Sequence, residues 1–103
     1  MFLIDFNKVF ENLPDEPEEK NPPLLKAILS FALARAENVR EVVKVWDWAM
    51  TASKVGVLKL DATDKKTLRD VVNDSKVLMV GAKAQLLNLI DSAQEAQRKK
   101  LLK

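Results

Sequence analysis

Two side chains that commonly carry catalysis or hold metals are missing from this chain: it has no cysteine and no histidine. Without thiols there are no disulfides, thiolate zinc sites, iron–sulfur ligands or cysteine nucleophiles. Without imidazole the usual metal ligand is lost, as are the usual general base near neutral pH and every Ser–His or Cys–His pairing. Asp61, Thr63 and Asp64 have the spacing of a calcium loop at its start. They lack the internal glycine and the distal bidentate glutamate, and serve better as a helix entry. Gly81-Ala82-Lys83 lacks the upstream glycine and the following Ser or Thr of a phosphate loop. The 15 acidic residues include carboxylate pairs, but nothing in their spacing brings two of them into one cleft. No catalytic, metal or cofactor residue is assigned. The expectation is a non-enzymatic protein with no cofactor and no small-molecule substrate.

Binding chemistry has better candidates. On a helix, Trp48 falls on one face with Val45, Ala52 and Val55, while Trp46 lies about 200° away. Trp is favoured in binding hot spots, so this second apolar face can anchor a partner; alternatively the helix is sandwiched and both tryptophans are core. The acidic run Asp15, Glu16, Glu18 and Glu19 can set specificity toward a basic partner or mimic nucleic-acid phosphates, or simply be a solvated loop. Lys99, Lys100 and Lys103 can meet phosphates, or complement the negative end of a helix dipole. Two helices separated by Asn73-Asp74-Ser75 invite a helix-turn-helix reading. The second would begin Lys76-Val77-Leu78-Met79-Val80-Gly81, a mainly apolar start and a poor groove reader.

The elements that must position these residues follow from periodicity. Phe2-Leu3-Ile4-Asp5-Phe6 and Val9-Phe10 flank Asn7-Lys8, which suggests a small hairpin or extended arm over 1–12. An acidic, proline-broken loop occupies 13–21. A helix over 22–36, entered through Pro22-Pro23, is apolar nearly all round and should be the central core element. Asn38 and Glu41 match a capping box for a helix over 39–54, with Gly56 as its C-terminal cap. That helix has two apolar faces, one carrying Val39, Val42, Val43, Trp46, Ala49 and Met50, the other Trp48. Val57–Leu60 is a short alternating link. Thr63 caps a helix over 64–73 with Leu68, Val71 and Val72 on its buried edge. Asp74 or Ser75 caps a helix over 76–98, with Met79, Ala82, Leu86, Leu89, Ile90 and Ala93 as its stripe, and 99–103 is a basic tail. The fold class expected is mainly α: a four-helix single domain with a short N-terminal β-hairpin or extended arm.

Composition agrees. With 48% hydrophobic and 31% charged residues among 103, the chain can bury one core and stay soluble. The formal charge of +2 is unevenly spread. Residues 1–50 carry 6 basic against 9 acidic groups, a net −3, and residues 51–103 carry 11 against 6, a net +5. Such polarity suits head-to-tail self-association or a charged partner. The start lacks a basic n-region, and the apolar run Ala27–Ala34 is far below the roughly 20 residues that span a bilayer, so a cytoplasmic location is expected.

Several segments taken together resemble small orphan proteins of tailed bacteriophages. They are Ile4-Asp5-Phe6-Asn7, the apolar helix, the second helix ending near Gly56, Leu60-Asp61-Ala62-Thr63-Asp64, and Val80-Gly81-Ala82-Lys83-Ala84-Gln85-Leu86-Leu87. The acidic proline-rich loop and Trp46-Asp47-Trp48 depart from that pattern. The resemblance implies a phage or prophage source, action in a bacterial cytoplasm, and an accessory role through protein contacts. It carries over no functional residue. The leading expectation is a protein that binds a host or viral protein or assembles with copies of itself. A nucleic-acid-associated regulator using the basic C-terminal half is the alternative.

Overall fold

In the computed structural model, residues 1–11, 23–37 and 39–93 are described. They form β1 (Phe2–Asp5), α1 (Leu25–Ala34), α2 (Val42–Lys54), β2 (Val57–Leu60), α3 (Ala62–Asn73) and α4 (Val80–Ser92). The protein is mainly helical, with one two-stranded antiparallel sheet among the described residues.

The sheet corrects the hairpin expectation. β1 pairs with β2, not with Val9-Phe10, in the register Phe2↔Leu60, Leu3↔Lys59, Ile4↔Leu58 and Asp5↔Val57. The alternation of Val57–Leu60 that reads as a link is the strand itself. Ile4, Leu58 and Leu60 point into the core while Leu3 and Lys59 point outward. Asn7-Lys8 does not turn the chain back because Asn7 is otherwise engaged. Its backbone N–H and its Nδ2 both donate to Asp5 Oδ1, at 2.9 and 3.0 Å, and Nδ2 also donates to Val55 O at 3.1 Å. The chain runs on to α1, where Val9 forms a single bridge with Leu24.

That arm does the work of a helix cap. Leu24 offers no side-chain cap to α1, leaving the first N–H groups of the helix without partners. Leu25 N–H donates to Lys8 O at 2.7 Å and Lys26 N–H to Phe6 O at 2.8 Å. Helix α1 therefore begins at Leu25, later than Pro22-Pro23 suggests: Pro23 precedes it and accepts from Phe10 N–H, and Pro22 lies outside the described residues. As expected, α1 is central, packing on α2, α3 and α4. It is not buried all round, since Leu25, Leu29, Ala32 and Leu33 are buried while Phe31 is half-exposed beneath the Arg35 guanidinium, 3.9 Å from its ring centre.

Helix boundaries shift elsewhere for local reasons. Helix α2 starts at Val42 with Glu41 in the cap position, three residues after the expected start; Asn38 lies outside the described residues. Its end is as expected: Gly56 has φ +81°, and the N–H groups of Val55 and Gly56 both donate to Thr51 O. Helix α3 is capped by Asp61 rather than Thr63. The Asp61 carboxylate accepts from Asp64 N–H at 2.7 Å, so the helix begins at Ala62. Ser75 Oγ accepts from Val77 N–H in a local turn, which delays α4 to Val80. Ala93 has an extended backbone and ends α4 at Ser92, well short of 98, and 94–103 lies outside the described residues.

One cluster of buried side chains joins both strands and all four helices: Ile4, Phe6, Leu29, Trp48, Leu58, Leu68, Leu86 and Ile90 are among its members. Among the described residues no polar or charged side chain is buried, and no buried side-chain polar atom lacks a partner. The elements are stitched at the rim by Ser30 Oγ to Ala49 O (2.9 Å), Arg69 to Asp91 (2.9 Å) and a reciprocal amide pair between Gln85 and the Glu11 backbone (2.9 Å each).

Candidate protein-interaction surface

The sequence of helix α2 has two apolar arcs, and the fold covers only one. At about 100° per residue, Val45, Trp48, Ala49 and Ala52 converge on one side, and all four are buried. The anchoring surface expected around Trp48 is therefore core. Val45 and Ala52 are closed off, Trp48 is only 6% exposed, and only Val55, beyond the helix end, remains open to solvent. The reason is steric. Ala49 and Ala52 are small enough to let α1 come close, as the Ser30 hydroxyl on the Ala49 carbonyl shows. Alanines flanking a Trp were the sequence signal for this close packing.

The exposed arc is the other one. Val42, Val43, Trp46 and Met50 follow one another along α2 with Trp46 54% and Val43 82% exposed. On helical spacing these four share a single face with Val39 and Ala49. The structure splits it, with Ala49 buried, Val39 partly buried, and the four larger side chains left in water. An apolar row of this kind on a soluble surface marks an interaction site more often than an isolated exposed leucine does.

Lys44, beside the row, donates to Asp64 Oδ1 at 2.8 Å and lies 3.7 Å from Glu41; the Asp64 hydrogen bond raises its pKa above the ordinary lysine value. The Asn7 backbone hydrogen bond lowers the Asp5 carboxyl. Both groups are on the surface. A groove of about 790 Å³ runs between the segment after α1 and the outer side of α3, where Arg35, Glu37 and Arg40 face Thr67, Asp70 and Asp74. It is open and mixed in sign. Among the described residues no group of acidic side chains could hold a metal ion, and no helix is long and apolar enough to cross a membrane.

Three cations of the basic C-terminal half have partners among the described residues. Arg69 is paired with Asp91, Lys76 lies 3.8 Å from Glu37, and Lys65 stands over the Phe2 ring at 4.4 Å. The acidic residues Asp15, Glu16, Glu18 and Glu19 and the basic Lys99, Lys100 and Lys103 lie outside the described residues. No protein-family model, curated protein or solved structure matches the chain.

Proposed function

We propose that this is a non-enzymatic protein-interaction module, an accessory protein of phage or prophage origin acting in a bacterial cytoplasm, and that its docking surface is the exposed apolar row of α2. The observation that carries this reading is the row itself. Val42, Val43, Trp46 and Met50 stand in solvent on a helix whose opposite side is well packed. Leaving them uncovered forfeits burial of about 25 cal/mol per Å². Trp and Met at the centre with charged residues at the edge is the composition of an interface centre and rim. The lack of His and Cys supports the non-enzymatic part. The nucleic-acid alternative has less support, because Arg69 and Lys76 are drawn to Asp91 and Glu37 rather than left for phosphates.

The test is photo-crosslinking in bacterial cells expressing the chain. A photoreactive amino acid is placed at Val43 or at Met50, and at the exposed Lys66 on α3 as a control. Adducts with protein, of any identity, should form from 43 and 50 and not from 66. Equal yields at all three positions, or none, would overturn the assignment of this surface.

A further inference from the structure

We infer that the occupant of the α2 row is a second copy of this chain, docked antiparallel about a two-fold axis near the middle of the helix. The inference rests on the interaction reading above and adds its partner. Along α2 the exposed row runs Val42, Val43, Trp46, Met50, with the exposed Ser53 continuing its line. In an antiparallel pair, residues whose numbers add to a constant lie opposite one another. A constant near 96 puts each Trp46 on Met50 of the other copy, twice, a thioether–aromatic contact at the centre. The same register sets Val42 against Ser53, where the small serine leaves room for it, and the stem of Lys54 beside Val43. The row is thus complementary to itself, as a two-fold interface must be.

Charge points the same way. Glu41 stands at the N-terminal end of α2 and Lys54 at the C-terminal end, and Lys54 makes no ion pair among the described residues. Antiparallel docking brings each Lys54 to the other copy's Glu41 and opposes the helix dipoles. Parallel docking would set Glu41 on Glu41 and Lys54 on Lys54. The exposures of Val42, Val43, Trp46 and Met50 make an apolar patch on the order of 400 Å². That is about half of the ~800 Å² per partner of a standard interface, so the polar rim around the row must supply the remainder.

The chain has no cysteine, so trapping with introduced ones has no background. Val42→Cys and Ser53→Cys variants are prepared separately, then each alone and a mixture of the two are treated with a short bis-maleimide. The mixture should give linked dimer and each variant alone little, because like positions lie more than about 14 Å apart along the axis at 1.5 Å per residue. Self-linking of each variant alone would overturn the antiparallel arrangement. Sedimentation of the full chain should show a reversible monomer–dimer equilibrium that Val43→Glu weakens by about tenfold or more. The helical circular dichroism should stay unchanged, since Val43 is largely in solvent. A chain that stays monomeric at near-millimolar concentration overturns the second-copy assignment. If photo-crosslinks from 43 and 50 to a different protein persist in that case, the interaction reading stands and this inference alone falls.

Discussion

Replacing Gly56 by alanine tests the junction where α2 ends and the N-terminal arm crosses it. Gly56 leaves α2 at φ +81°, and its carbonyl accepts from Phe6 N–H at 2.7 Å where the arm crosses. An L-residue in the left-handed region costs about 1–2 kcal/mol. The added methyl also lands on the Asn7 carboxamide, which must move away and give up its bonds to Asp5 and Val55. At an exposed site these two bonds are worth about 0.5 kcal/mol each. Gly56→Ala should therefore destabilise by about 2–3 kcal/mol in urea unfolding and lower Tm by about 10–20 °C for a domain of this size. In an Asn7→Ala background the obstacle is gone and only the backbone term remains, so the double-mutant cycle should show a coupling of about 1 kcal/mol. A loss below about 0.5 kcal/mol for Gly56→Ala, or an equal loss in both backgrounds, refutes the reasoning.

Three further outcomes follow from the same structure. In dilute solution Trp46→Phe, which leaves Trp48, should emit at short wavelength and resist acrylamide, whereas Trp48→Phe should leave a red-shifted, readily quenched Trp46; the reverse pattern would exchange the two faces of α2. Asp61→Ala removes the acceptor of the Asp64 N–H and should cost about 1 kcal/mol in the urea midpoint; an unchanged midpoint would remove Asp61 as the cap of α3. The Asp5 carboxyl is held below its ordinary value by Asn7, so its contribution is present above the unfolded-state pKa of about 3.9 and disappears as pH falls through the lower folded value. Solvent screening keeps this contribution small. Asp5→Asn should flatten the acid limb of the stability–pH curve, and an identical limb in both proteins would contradict the Asp5–Asn7 turn.

Features under local chemical control were legible in the amino-acid sequence. The absence of Cys and His removed whole classes of reaction. Apolar periodicity located four helices, and the left-handed requirement at a helix end singled out Gly56. The buried edge at Leu68 and Val72, and the stripe Ala82, Leu86 and Ile90 on α4, were readable because one face of each helix is plainly apolar. Caps were less legible where two polar residues competed, as Asp61 and Thr63 did, since either can reach the first free N–H groups.

Long-range packing set the remaining features. The partner of Phe2–Asp5 lies more than fifty residues away at Val57–Leu60, and strand pairing over that distance leaves no mark in local spacing beyond the alternation of both segments. The same holds for the candidate surface. Helix α2 carries two apolar arcs of similar strength, and a periodicity of 3.6 cannot rank them. The choice came from what packs on the helix: α1 approaches closely where Ala49 and Ala52 allow it, which buries Trp48 and turns Trp46 outward.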